Sequence, residues 1–85
     1  GGEEFVICLP DTSVQGAFDV AERIRNKVAS TVVLSSQNMS LYIEVSIGVA
    51  SYKHDGSVEK ILKRADDALY QAKAKGRNQT IIDAD

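Results

Sequence analysis

The chain is poor in several features that would have narrowed its role. It holds one cysteine, so no internal disulfide can form and nothing demands an oxidising compartment. No apolar run comes near the ~20 residues that span a bilayer. Nothing at its start reads as a signal peptide. The expected location is therefore the cytoplasm, with no direct membrane contact through this segment, whether or not a longer parent is anchored elsewhere. Charge of one sign is also lacking. Ten Lys and Arg against twelve Asp and Glu give a net charge of −2, with the signs interspersed. A nucleic-acid surface needs a clear basic patch, so no nucleic-acid partner is expected. There is no internal repeat, linker or low-complexity tract. Eighty-five residues allow at most one small domain with a modest buried fraction. The hydrophobic content of 44% is ordinary for such a domain and argues against disorder.

Phe5 to Leu9 is a continuous apolar run and predicts a strand buried on both faces. Within it, Cys8 reads as a small core hydrophobe. Pro10 and Asp11 end the run. Thr12 and Gln15 fit a capping box, which starts a helix near Ser13. Val14, Ala17, Phe18, Ala21, Ile24 and Val28 then form its apolar stripe, with Glu22, Arg23 and Lys27 off it, and the helix frays over 29–31. A minor strand at Val32 to Leu34 and a polar loop at 35–40 follow. Leu41 to Ala50 alternates with period two and predicts one strong strand, whose Gly48 and Ala50 let another element approach closely. Residues 53–56 make a turn, and His54 in it is a lone exposed histidine. Ser57 caps a second helix with the stripe Val58, Ile61, Leu62, Ala65, Leu69 and Ala72. Gly76 is its C-cap, and Thr80 to Ile82 is a last short strand. The order is β-α-(β)-β-α-β. Two helices packed on a mostly antiparallel sheet predict an α+β fold.

Two places can carry chemistry. Gly1-Gly2-Glu3-Glu4 puts two residues without a Cβ beside two carboxylates, immediately before the apolar run. Glycines let a ligand lie against the backbone. Carboxylates hold hard divalent cations through oxygen. Adjacent side chains on extended backbone point to opposite faces, so Glu3 and Glu4 cannot share one role. A solvated acidic turn is the plain alternative. Lys73 and Arg77 lie four apart near the end of the second helix. An ammonium and a guanidinium suit a polyphosphate, as a point charge and a fork. A basic helix end that complements the dipole is the plain alternative there.

Three segments share a further property. Gly1-Gly2-Glu3-Glu4-Phe5 resembles the signature turn of the GGDEF family, the diguanylate cyclases, in its variant with Glu third. Val45-Ser46-Ile47-Gly48-Val49-Ala50 resembles the family's SIGVA strand. Ala65-Asp66-Asp67-Ala68-Leu69-Tyr70-Gln71-Ala72-Lys73-Ala74-Lys75-Gly76-Arg77-Asn78 resembles its AD-x-ALY-x-AK-x-x-GRN helix and exit. The resemblance covers the whole chain and implies that residues 1–85 are the C-terminal part of a single GGDEF domain whose upstream half is absent. It implies a palm-like nucleotidyl cyclase fold. It further implies that the parent condenses two GTP into cyclic di-GMP with release of pyrophosphate, as an antiparallel homodimer with one GTP on each domain.

By the same resemblance Glu3 is a ligand of the catalytic Mg²⁺ pair (or Mn²⁺), and Glu4 is the other essential carboxylate and the general base. Gly1 and Gly2 admit the nucleotide. Lys73 and Arg77 hold the β- and γ-phosphates, and Lys75 is solvated. Asp66 is structural, Asp67 is at a variable position, Tyr70 packs with its hydroxyl satisfied, and Asn78 orders the turn after the helix. The family's second metal Asp, guanine-reading Asn and Asp, and Arg-x-x-Asp inhibitory site lie upstream of the signature turn. The chain alone is therefore expected to be inactive. In parents of this kind an upstream sensor or receiver module is expected. The alternative is a non-enzymatic GGDEF-like module that binds GTP or cyclic di-GMP and signals through a partner.

Overall fold

The structure, a computed structural model, describes residues 7–37, 39–51 and 57–83. In chain order its elements are α1 (Val14–Ala29), β1 (Val32–Ser36), β2 (Met39–Tyr42), β3 (Ile47–Val49), α2 (Val58–Ala74) and β4 (Thr80–Ile82).

Both helices begin at a serine. Ser13 is the N-cap of α1, and its hydroxyl accepts from the Gly16 amide at 3.0 Å. This shifts the cap one residue beyond the expected Thr12. Thr12 instead donates to the Pro10 carbonyl, and Gln15 donates to Asp19 along the helix. Ser57 caps α2 as expected, accepting from the Lys60 amide. An N-cap side chain satisfies one of the orphan amides of the first turn, which is why serine stands at both starts.

The sheet departs from the expected mostly antiparallel one. β1 and β2 form an antiparallel hairpin, while β3 and β4 form a separate parallel pair, Ile47 opposite Thr80 and Val49 opposite Ile82. The parallel direction follows from connectivity. β3 and β4 are joined by α2, and a helical crossover returns the chain in the same sense. The expected single strand over 41–50 is broken. Its first part pairs with β1 as far as Tyr42, and its last part pairs with β4 from Ile47 onward. Among the described residues no strand lies beside 43–46, so the alternating pattern there makes no ladder. The hairpin also reaches further into the expected loop, since strand pairing extends to Ser36 and Met39.

Both helices pack on the parallel pair. Among the described residues the buried ones are Ala21 of α1, Val49 of β3, and Ala68 and Ala72 of α2. Their small size reflects close approach. A Cβ on Gly48 would collide with the Ala65 carbonyl and the Leu69 backbone, so α2 lies directly over β3 at this glycine. That agrees with the shallow face expected at Gly48.

Three core expectations are corrected. Ile7 to Leu9 carries no strand, Ile7 is 63% exposed, and Cys8 is exposed too. Among the described residues no strand flanks this segment, so nothing buries it. Phe5 and Val6 lie outside the described residues. Tyr70 is 74% exposed rather than packed, because it sits on the face of α2 turned from the strands. Val58 and Leu62, expected on the buried stripe, are exposed as well.

Candidate functional site

The end of α2 is where the described residues bring functional candidates together. The helix closes on Lys75, and the next three residues all take positive φ: Gly76 at 118°, Arg77 at 63° and Asn78 at 48°. The Arg77 amide reaches back to the Ala72 carbonyl at 2.9 Å, and the Gly76 amide to the Lys73 carbonyl at 3.4 Å. This pair of bonds is a Schellman closure, with glycine at the position where a Cβ is penalised. Arg77 and Asn78 pay that penalty, about 1–2 kcal/mol for each non-glycine residue in the left-handed region. Such conformations persist only where the surroundings over-determine them.

The surroundings here are a polar network. Arg25 of α1 forks onto Glu22, with Nε 2.7 Å from Oε2 and Nη2 2.9 Å from Oε1. Its remaining Nη1 donates to Asn78 twice, to Oδ1 at 3.0 Å and to the main-chain carbonyl at 3.2 Å. The Thr80 hydroxyl donates to the same Glu22 Oε2 at 2.7 Å. On the other side of the turn, the Asn78 amide donates to Ser46 Oγ at 3.0 Å. The Gln79 side-chain amide donates to the Lys75 and Arg77 carbonyls. α1 and the segment before β3 thus both grip the turn, and the start of β4 braces Glu22 behind it. The Arg25 guanidinium and the Thr80 hydroxyl hold the Glu22 carboxyl down at about 2, well below its ordinary 4.5. A second clamp ties α2 to the far ends of the strands. Arg64 pairs with Asp83 at 2.9 Å and donates to the Ser51 carbonyl at 2.6 Å.

Lys73 and Arg77 are both exposed at this helix end, and among the described residues neither is ion-paired. The helical i,i+4 relation suggested by their spacing does not hold. Arg77 lies two residues past the C-cap, and the left-handed turn sets its direction. Gly1, Gly2, Glu3 and Glu4 lie outside the described residues, as does His54. Among the described residues no three His, Cys, Asp or Glu converge on a possible metal position. Among the described residues Asp67 meets only Lys63, in an exposed contact at 3.4 Å. Asn78 orders the turn, as expected, but through partners that sequence reading missed. The apolar pattern leaves Glu22 off the stripe with no partner assigned, and it does not single out Arg25. The available signal was their i,i+3 spacing, which suits a Glu–Arg pair on one helix face.

The GGDEF family profile, described as the diguanylate cyclase GGDEF domain, matches residues 1–79. The chain belongs to the GGDEF family. It is 45% identical over 83 residues to the response regulator PleD of Caulobacter vibrioides, covering 95% of this chain and 18% of that protein. It is 42% identical to diguanylate cyclase A of Treponema denticola over 96% of this chain and 22% of the relative. Among solved structures, the GGDEF domain of DgcB from Caulobacter crescentus in complex with c-di-GMP matches with a TM-score of 0.81 at 33% identity. That match covers 91% of this chain and 45% of the other. The active GGEEF domain of a diguanylate cyclase from Vibrio cholerae matches at 0.76 and 37% identity, over 91% of this chain and 48% of that one. This GGDEF chain thus spans about a fifth of the curated relatives and less than half of the solved chains it matches. Among the described residues no helix is long and apolar enough to cross a membrane.

Proposed function

We propose that the protein carrying this GGDEF chain makes cyclic di-GMP from two GTP, and that residues 1–85 supply the C-terminal part of its catalytic domain. The observation that carries this reading is the intact Gly1-Gly2-Glu3-Glu4-Phe5 turn in a chain of this family. A binding-only module has no need of two adjacent carboxylates at that turn.

In each half-reaction the 3′-oxygen of one GTP attacks the α-phosphorus of the other. The bond from α-phosphorus to the bridging oxygen breaks, and pyrophosphate leaves. Glu4 takes the proton of the attacking hydroxyl. Glu3 holds a divalent cation, Mg²⁺ or Mn²⁺, which when bound neutralises charge on the transferring phosphoryl group. Gly1 and Gly2 leave room for the nucleotide beside the backbone. Lys73 and Arg77 hold the β- and γ-phosphates as point charge and fork. Their exposure and lack of ion pairing among the described residues support this role. A two-fold product made from two identical halves fits a homodimer with one GTP on each domain. Control then falls to an upstream sensor or receiver module. The 85 residues alone form no product, since half of the site lies elsewhere.

The test is Glu4→Gln in the full-length protein. It keeps shape and removes basicity, and it should lower turnover by at least ~10²-fold, the usual size of a general-base contribution. Turnover close to that of the unaltered protein overturns the reading and leaves a nucleotide-binding module that signals through a partner.

A further inference from the structure

The turn that carries Arg77 is held by a residue from the other helix. Two successive non-glycine residues, Arg77 and Asn78, stand in the left-handed region, and nothing in α2 itself keeps them there beyond the closing bonds of the helix. Asn78 is fixed on two sides. Ser46 Oγ accepts from its amide, and Arg25 Nη1 donates to both its side-chain and its main-chain oxygen. Arg25 cannot rotate away, because its other two nitrogens are forked onto Glu22, which Thr80 braces in turn. The guanidinium is the one side chain with enough fixed donors to make both sets of bonds at once. Its side chain is 17% exposed, so water competes weakly for these bonds.

We propose that Arg25 is a positioning residue for triphosphate binding: by locking Asn78 it fixes the left-handed turn from which Arg77 reaches the phosphates. This rests on the phosphate-holding role of Arg77 given above. The consequence is a division of labour. Arg77 meets the ligand, and Arg25 touches none of it. If the lock is loosened, Arg77 samples several directions, and a small misplacement of a binding group is costly.

The experiment uses the full-length protein, loaded with Ca²⁺ to prevent turnover, with GTP and GMP as probes. Arg25→Lys keeps the charge but cannot serve Glu22 and Asn78 together. It should weaken GTP about tenfold to a hundredfold and leave GMP unchanged, because GMP lacks the phosphates that Arg77 holds. A merely structural role would move GTP and GMP alike, and that result overturns the proposal. In an Arg77→Ala background, Arg25→Lys should cause no further loss, whereas independent effects would add. Additive losses therefore also overturn it. If Arg77→Ala alone leaves the GTP-to-GMP ratio unchanged, the phosphate role of Arg77 has failed, and the proposal falls with it for that separate reason. Should Arg25→Lys not fold, Ser46→Ala, which loosens Asn78 from the opposite side, decides by the same ratio.

Discussion

Arg25 and Asn78 are 53 residues apart in the chain, yet the Arg25 Nη1 lies 3.0 Å from Asn78 Oδ1 and 3.2 Å from its carbonyl oxygen. This contact closes α1 onto the turn that follows α2. It explains how two non-glycine residues hold left-handed backbone beside an exposed basic pair.

Glu22 is ionised in the fold far more firmly than when free. Its carboxyl is lowered from 4.5 to about 2, chiefly by Arg25 and then by Thr80. A lowered folded pKa contributes stability that is complete above the free value and is lost as pH falls through the folded value. Glu22→Gln should therefore destabilise most above about pH 4.5, and the difference from the unaltered protein should shrink toward pH 2. Urea unfolding of both proteins at several pH values measures this. A difference that stays constant across the range would show that the carboxylate charge contributes nothing.

Arg77 sits at φ 63°, where glycine carries no Cβ penalty. Arg77→Gly should leave thermal stability unchanged or raise it by up to about 1 kcal/mol. The same change should weaken GTP binding about 10-fold or more in the full-length protein, the scale of a lost charge-assisted hydrogen bond. Lys73→Ala should weaken GTP binding similarly, with stability within about 0.5 kcal/mol as for other exposed sites. Calorimetry on each variant, with and without GTP, separates the two effects. Lower stability with normal GTP binding would make both residues structural.

Gly48→Ala should destabilise by about 1–3 kcal/mol, the range for overpacking a filled site. The added carbon meets backbone of α2, at Ala65 and Leu69, which cannot rotate aside. Thermal denaturation reports the loss. An unchanged melting temperature would mean that α2 slides freely over β3.

Cys8 is exposed, between Ile7 and Leu9, which are exposed too. In a solution of the 85-residue chain it should react with an aromatic disulfide reagent without denaturant. Slow labelling accompanied by a rise in mass by light scattering would show the apolar run 5–9 covered by a second copy. Slow labelling in a strict monomer would contradict the exposure seen here.

Much of this molecule was readable along the chain. Both helices, the serine cap of α2, the glycine at the exit of α2 and the short strand after it follow from neighbours within about four residues: apolar spacing, a hydroxyl placed for a free amide, and a missing Cβ. Gly1 to Glu4 and the pair Lys73 and Arg77 stand out by residue type only as candidates, and the roles expected of them come from the resemblance. Strand pairing was not. The alternation over 41–50 describes which sides of a strand are apolar, not which partner lies alongside, so it could not foretell a hairpin ending at Tyr42 and a parallel pair beginning at Ile47. Exposure of Tyr70 and Cys8 was hidden for the same reason, since burial depends on what packs opposite. The grip of Arg25 on Asn78 was furthest from view. Its two partners come together only after α1, β3 and β4 have assembled, and a hydrogen bond specifies its geometry but leaves no spacing in the sequence by which to find it.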